Sequence, residues 1–247
     1  MMSKLLLISD SNAASVKDAA NQGLLNLDID IDYLPLSGKN AALLNELSLE
    51  GNMLTSEHES VKAIMTRNGF LNTGIDLREY SYVVIFGFQL FSSGNGSNWI
   101  AIVDDQDKFL SQAVRKATPS IYDNICATFH LEFIKRLKTV DNEQALSHLN
   151  VFSIASPLPN QGHPGWRGVI GKRSSPLNAY EQQAQEICEG FGVQFVTLPT
   201  RLLANNGYSA AKEFWYGNAK DFSHLNAQGA AILMEHFAAL ANIRKIS

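Results

Sequence analysis

The stretch Leu5-Leu6-Leu7-Ile8-Ser9-Asp10-Ser11-Asn12 decides the fold. Its apolar first half is typical of a strand that is buried on both faces, as in a parallel sheet. Small polar residues follow at once, and helical spacing then runs over residues 13–27. This order predicts the first strand, turn and helix of an α/β domain, with the polar turn at the carboxyl edge of the sheet.

Strand-like and helix-like segments alternate through most of the remaining chain. Apolar runs predict further strands at residues 29–34, 82–88, 151–155 and 193–198, and helical patterns lie at 99–116, 125–138, 178–191 and 226–243. Such alternation implies a parallel sheet with helices on both faces. We therefore predict one domain over residues 1–247, a three-layer α/β/α flavodoxin-like fold around a mainly parallel, five-stranded sheet.

The connection between the second and third predicted strands, residues 37–80, is longer than a crossover requires. Helix-like patterns occur within it at 41–50 and 56–68. We predict that this insertion forms a cap or an interaction arm beside the carboxyl edge of the sheet.

A second polar motif, Asp221-Phe222-Ser223-His224-Leu225-Asn226, precedes the last helical pattern. In an Asp-x-x-His turn the carboxylate can reach Nδ1 of the imidazole and leave Nε2 to accept a proton from a distant hydroxyl. Both chain ends are expected at the same edge of the sheet, so Ser11 and His224 are predicted to meet there. A serine, a histidine and an aspartate in this arrangement indicate acyl-transfer chemistry.

The two motifs resemble the SGNH/GDSL hydrolase superfamily. Ser9-Asp10-Ser11 is similar to the first block of that family, with serine in place of glycine, and the segment from Asp221 to His224 is similar to the last block. The resemblance implies that Ser11 is the nucleophile, His224 the base and Asp221 its partner.

The resemblance also implies an oxyanion hole. Its donors would be the backbone N–H of Ser11, the backbone N–H of Gly38 after the second strand, and an amide after the third strand. Gln89 stands where the family has asparagine, and Asn95 and Asn98 in the following loop are alternative amide donors. A lost oxyanion donor costs about 100- to 1,000-fold in rate, so Gln89 bears directly on hydrolytic efficiency.

Substrate contacts are predicted around the same edge. The Pro- and Gly-rich loop after the fourth strand offers a hydrogen-bonding group, a stacking surface and a cation, which suit a sugar or an acyl group. For the aromatic run 214–216, packing in the core or in a lid is favoured over substrate stacking. The predicted substrate-binding residues are Asp10, Asn12, Asn95, His163, Trp166 and Arg167.

Composition narrows the function further. The net charge of −4 and the absence of a basic run argue against nucleic-acid binding. Cys126 and Cys188 are isolated and are expected to be buried, reduced thiols. His58, His130, His148 and His236 lack partners at metal-ligand spacing, and the first strand lacks the glycines of a nucleotide-binding fingerprint, so no metal or cofactor is predicted.

Localisation is predicted from the apolar segments. No apolar run approaches the roughly 20 residues that span a bilayer, and the first residues lack the pattern of a secretory signal. A cytoplasmic protein without a membrane span is therefore expected, and its oligomeric state is left open.

The leading hypothesis is a serine esterase or deacylase that acts on an acyl ester, for example an O-acetylated carbohydrate, through an acyl-serine intermediate. One alternative is a carbohydrate O-acyltransferase on the same fold, and another is an SGNH-fold protein that has lost hydrolytic activity. A third is a non-catalytic flavodoxin-like module that binds an anion at the first helix, with His224 far from Ser11. Purely structural roles are also open, in which Ser11 and Asp221 cap the first and last helices.

Overall fold

The computed structural model describes residues 3–36, 41–44, 46–70, 74–87, 148–154, 157, 185–186, 188–190, 192–205, 210–217 and 224–246. The strands among these residues are β1 (Lys4–Ser9), β2 (Asp30–Pro35), β3 (Ser48–Glu50), β4 (Met53–Thr55), β5 (Ile75–Asp76), β6 (Tyr82–Phe86), β7 (Asn150–Ile154) and β8 (Gln194–Val196). The longer helices are α1 (Ala13–Asn21), α2 (Glu59–Arg67) and α3 (Ala227–Leu240). Single turns of 3₁₀-helix lie at Ala41–Leu44, Leu77–Glu79, Thr200–Leu202 and Lys212–Phe214.

The main sheet has five strands in the order β2-β1-β6-β7-β8, and every neighbouring pair in it is parallel. Numbered along the chain within this sheet, the order is 2-1-3-4-5, which is the flavodoxin-like arrangement. The predicted fold class is therefore confirmed. In this order the chain reverses its direction of travel between β1 and β6, and a crevice at the carboxyl ends of these two strands is the usual place for a ligand.

Side chains of the central strands alternate between two cores. Leu5 and Leu7 of β1 pack on one face of the sheet with buried residues of α1 and α3. Leu6 and Ile8 pack on the opposite face, in a core that also contains Val61 of α2. Because successive residues of a strand point to opposite faces, an uninterrupted apolar run serves both cores at once.

The 37–80 segment differs in part from its prediction. The expected helix at 41–50 is wrong: a 3₁₀ turn is followed by β3, which pairs with β4 in a separate antiparallel sheet that also contains β5. Gly51 adopts a φ of 59° in the two-residue turn between β3 and β4, a conformation that favours glycine. The helix predicted at 56–68 is present as α2.

Buried residues of this segment belong to the core that includes Leu6 and Ile8. The segment therefore contributes to the layer on that face of the main sheet. Its role as a cap or an interaction arm stays a prediction.

Helix ends account for the other differences. Helix α1 ends at Asn21 rather than at residue 27, because Gly23 adopts a φ of 68° and its N–H bonds back to the Ala20 carbonyl. Helix α3 ends at Leu240, two residues before Asn242 at a φ of 56°. The helices predicted at 99–116 and 125–138 and most of that at 178–191 lie outside the described residues.

Two further sequence predictions meet the structure here. Cys188 is buried, as expected, whereas Cys126 lies outside the described residues. No helix in the part of the chain that the structure describes is both long and apolar enough to cross a membrane.

Candidate active site

The site lies at the carboxyl edge of the main sheet, where β1 ends. Ser11 is an exposed residue on the turn between β1 and α1, and His224 is a half-buried residue shortly before α3. A hydrogen bond of 2.5 Å joins Ser11 Oγ to His224 Nε2 across 213 positions of sequence. The predicted meeting of the two chain ends is thus observed.

The Ser11–His224 hydrogen bond and the helix ends test the alternatives to a catalytic role, namely helix capping by Ser11 and Asp221 and the anion-binding module. The N-terminal capping position of α1 is occupied by Asn12, not by Ser11, and the Ser11 hydroxyl is directed to His224. The capping position of α3 is occupied by Asn226, whose side chain accepts a hydrogen bond from Gly229 N at 2.9 Å. Capping of these two helices by Ser11 and Asp221 is therefore contradicted, and so is the large Ser11–His224 separation that the anion-binding module required.

The turn that carries Ser11 is closed by its two neighbours. Asp10 Oδ1 accepts hydrogen bonds from the backbone N and from the side-chain Nδ2 of Asn12, both at 2.8 Å. Gly87, directly after β6, packs against this carboxylate, and a Cβ placed on it would lie 2.3 Å from Asp10 Oδ1. The ends of β1 and β6 therefore approach each other more closely here than any residue except glycine permits.

Burial raises the pKa of the Asp10 carboxyl above its ordinary value of 3.8. The two hydrogen bonds from Asn12 act in the opposite direction, and so does the charge of His224 when the imidazole is protonated. Asp10 thus combines a costly desolvation with contacts that favour the carboxylate form.

The segment that carries His224 lies outside the main sheet and is held by a neighbouring loop. Trp215 and Leu225 form an isolated antiparallel bridge, and Tyr216 N donates to the His224 carbonyl at 3.3 Å. Asn226 adds two bonds to the same loop, from its backbone N to Phe214 O at 2.9 Å and from Nδ2 to Glu213 O at 2.7 Å.

Aromatic residues before this segment separate into different environments. Phe214 is buried in the core, and Trp215 is half-buried with its Nε1 donating to the Ala210 carbonyl at 2.9 Å. Tyr216 is 40% exposed, and its ring centroid lies 6.4 Å from that of His224 in an edge contact. The prediction that this run packs in the core or in a lid, rather than stacking on a substrate, fits the burial of Phe214 and Trp215.

A direct link joins the two halves of the site. Ser15 lies in the first turn of α1, and its buried hydroxyl donates to the Leu225 carbonyl at 2.6 Å. Because Leu225 follows His224, this bond ties the helix after Ser11 to the segment that carries the imidazole.

Sequence reasoning overlooked Ser15, Gly87 and Asn226 as supports of the site. Gly87 had a detectable signal, a glycine directly after an apolar strand, where a backbone often approaches another closely. Asn226 had one as well, since asparagine before a helical pattern is a typical cap. Ser15 had none, because one serine inside a helical pattern is most simply read as a surface residue.

Several predicted site residues lie outside the described part of the chain, and their roles stay predictions. These are Gly38, Asn95, Asn98, Gln89, His163, Trp166, Arg167 and Asp221. Asp10 and Asn12, which were predicted to contact substrate, lie at the site. Their side chains are hydrogen-bonded to each other, from Asn12 Nδ2 to Asp10 Oδ1, and Asn12 N donates to the same oxygen. Within the described residues, no three His, Cys, Asp or Glu side chains are grouped so as to hold a metal ion.

Solved structures similar to this chain include three that are named as a lipase, an acetyltransferase and an acetylxylan esterase. A GDSL-like lipase from Bacteroides thetaiotaomicron is 10% identical at a TM-score of 0.43, with 97% of this chain and 89% of that chain covered. The periplasmic domain of a lipopolysaccharide acetyltransferase from Salmonella ser. Paratyphi A is 12% identical at a TM-score of 0.45, covering 98% and 84%. A catalytic mutant of an acetylxylan esterase from Geobacillus stearothermophilus is 14% identical at a TM-score of 0.39, covering 96% and 93%.

No family profile and no curated protein sequence matches the chain. The name GDSL occurs among the similar structures, in that of the Bacteroides lipase. Identities this low assign no role to any residue of this chain, so the roles of Ser11 and His224 are proposed from their own contacts.

Proposed function

We propose that this protein is an SGNH-type serine esterase that cleaves an acyl ester through an acyl-Ser11 intermediate. The observation that carries the proposal is the 2.5 Å hydrogen bond between Ser11 Oγ and His224 Nε2. A hydroxyl in contact with an imidazole nitrogen, on an exposed turn, is the arrangement that activates serine as a nucleophile.

The reaction starts with proton transfer along this bond. For Ser11 to donate, the His224 imidazole carries its proton on Nδ1 and presents an unprotonated Nε2. As Ser11 Oγ attacks the acyl carbon, its proton passes to Nε2, and the imidazolium then protonates the departing alkoxide. Water, deprotonated by the same nitrogen, then attacks the acyl carbon; the bond from this carbon to Ser11 Oγ breaks, Oγ takes the proton back from the imidazolium, and the carboxylic acid is released. Asp221, three residues before His224, is the proposed acceptor for the Nδ1 proton.

Charge on the tetrahedral intermediate requires hydrogen-bond donors. The backbone N–H of Ser11 makes no hydrogen bond to any residue in the described ranges, which supports its proposed role as one donor. Gly38 and Gln89 are proposed as the others from their positions after the second and third strands of the main sheet.

The substrate class follows from the chemistry of the pair rather than from a bound ligand. Ser11 and His224 cleave an ester whatever its alcohol, and an O-acetylated carbohydrate is our proposed example because of the loop with His163, Trp166 and Arg167. If a sugar hydroxyl replaces water as the acceptor, the same two steps transfer the acyl group instead.

A fluorophosphonate probe tests the proposal, since it modifies only an activated serine. We expect one adduct, located on Ser11 by peptide mass spectrometry, and its loss in Ser11→Ala and His224→Ala. His148→Ala, at an exposed histidine, is the matched control and should react as the wild type does. An adduct on another serine, or none on the folded wild type, contradicts the assignment. Release of acetate from an aryl acetate, with and without added oligosaccharide, then separates hydrolysis from transfer.

A further inference from the structure

Asp10 precedes the proposed nucleophile and has no part in the Ser11–His224 proton transfer. Its Oδ1 atom accepts two hydrogen bonds from Asn12, one from the backbone N–H and one from the side-chain amide. A carboxylate that bonds the N–H two residues ahead fixes a turn of its own chain. The residue between the two partners is Ser11, so this turn sets the direction of the Ser11 side chain.

The Asn12 side chain depends on this carboxylate. It is buried, it does not cap α1, and its Oδ1 makes no hydrogen bond with any described residue. The single hydrogen bond that the structure gives this amide is the one from Nδ2 to Asp10 Oδ1. Without the carboxylate, the Asn12 side chain would have no hydrogen-bond partner among the described residues.

The carboxylate is also confined from the side of β6. Gly87 has a φ of 86°, and a Cβ there would lie 2.3 Å from Asp10 Oδ1 and 2.9 Å from Asn12 Nδ2. Contacts that short force a displacement, so a side chain at position 87 would push the Asp10–Asn12 pair out of position.

We infer that Asp10 is a positioning residue, whose carboxylate holds the turn so that Ser11 Oγ meets His224 Nε2, and that Gly87 leaves the space this requires. The inference deepens the proposed function and rests on it for the kinetic consequence. It also gives Asp10 a role other than substrate contact. Burial disfavours the charge of Asp10, as the raised pKa of its carboxyl shows, yet the turn surrounds it with donors suited to that charge.

Kinetics with an aryl acetate separate positioning from substrate binding. Asp10→Ala should lower kcat by about 100-fold, because a misplacement near 1 Å has that effect, and should leave KM unchanged. Asp10→Asn keeps an oxygen for both Asn12 donors and should recover most of kcat. Asp18→Ala removes an exposed carboxylate from α1 and is the control that should match the wild type.

A double-mutant cycle tests the contact with Gly87. Gly87→Ala should lower kcat in the wild-type background, and it should lower it by a much smaller factor when Asp10 is already alanine. Backbone strain at the positive φ is common to both backgrounds and cancels in the cycle. If Gly87→Ala does not fold, the comparison of Asp10→Ala with Asp10→Asn decides alone.

Two kinetic results would overturn the inference. One is an Asp10→Ala variant with the kcat and KM of the wild type. The other is an Asp10→Ala variant with an unchanged kcat and a raised KM, which would indicate that Asp10 contacts the substrate. If the wild type itself shows no turnover, the proposed function is wrong. The positioning role of Asp10 is then tested by crystal structures of the wild type and of the two variants. Asp10→Ala should move Ser11 Oγ out of hydrogen-bonding distance of His224 Nε2, whereas Asp18→Ala should keep it there; an unmoved Ser11 refutes the positioning role.

Discussion

Ser11 and His224 meet at one edge of the sheet but are held there by different means. Ser11 follows β1, a strand that pairs on both sides and buries every residue from Leu5 to Ser9. The segment from His224 to Asn226 lies outside the main sheet, and it is fixed by a bridge to Trp215, by the buried side chain of Leu225 and by the bonds of Asn226. The nucleophile is placed by a central strand of the sheet, whereas the base is placed by one buried side chain, Leu225, and a few individual hydrogen bonds.

The half of the site that carries His224 is expected to be the more sensitive to substitutions around it. A segment held by a few bonds opens locally at a lower free energy than a central strand does. Substitutions that weaken the His224 segment should therefore reduce activity well before they unfold the protein. Equivalent changes behind Ser11, in β1, should affect activity and stability together.

The largest expected effect comes from removing either member of the pair. Ser11→Ala and His224→Ala should each lower kcat for an aryl acetate by at least about 1,000-fold, and the double variant should be no worse than the poorer single one, since the pair acts as a unit. Ser11 is exposed and caps no helix, so the unfolding free energy of Ser11→Ala should change by less than about 0.5 kcal/mol. A variant that retains most of the wild-type rate would exclude its residue from the reaction.

Asn226→Ala should have the next largest effect. It removes the cap of α3 and the bond to Glu213 O, and should lower the unfolding free energy by about 1–2 kcal/mol. Measured well below its Tm, the variant should also lose kcat, because the His224 segment loses one of the bonds that join it to its loop.

His58 provides the matched control for Asn226. It caps α2 by accepting a hydrogen bond from Ser60 N at 3.2 Å, in another part of the fold. His58→Ala should lower stability and leave kcat unchanged. Equal kcat in both variants at a temperature where both are folded would mean that Asn226 serves only the helix.

Ser15→Ala tests the bond between the two halves of the site. Losing the donor to Leu225 O should lower the unfolding free energy by about 1 kcal/mol and reduce kcat by less than Asn226→Ala does. Ser60→Ala, at an exposed serine of α2, is the control. Because Ser15 and Asn226 hold the same short segment, the effects of the two substitutions on kcat should not multiply. Independent effects would show that the two bonds act on separate parts of the site.

The same contrast explains what the sequence could predict. Apolar runs and their alternation with helical patterns report burial, so β1, the parallel sheet and the place of Ser11 followed from them directly. The meeting with His224 followed because parallel strands bring chain ends to one edge. The antiparallel pair β3 and β4 was missed, although Gly51-Asn52 between two short apolar stretches is a typical hairpin turn.

The supports of the site were harder to predict for a physical reason. Ser15 and Leu225 are 210 positions apart, and neither residue type indicates that a hydroxyl of one meets the carbonyl of the other. Asp10 beside a serine suggests a polar surface, and only the backbone of Gly87 shows that the carboxylate is enclosed. Periodicity reports which face is buried, whereas single contacts between distant segments leave no period.

The smallest expected effect concerns the charge enclosed behind Ser11. Because the pKa of Asp10 is raised in the folded protein, the folded state holds its proton more tightly than the unfolded chain does. The protonated Asp10 carboxyl therefore contributes to the free energy of unfolding. This contribution is fully present below pH 3.8, the ordinary pKa of the group. It is lost as the pH rises through the higher pKa of the folded protein, and it is absent at neutral pH. Asp10→Asn has no such proton, so its Tm relative to the wild type should increase as the pH rises from below 3.8 to neutral. Asp18→Asn, at an exposed site, is the control and should show no such trend. If the Tm of Asp10→Asn relative to the wild type instead falls as the pH rises, the hydrogen bonds to the carboxylate stabilise its charge more than burial destabilises it.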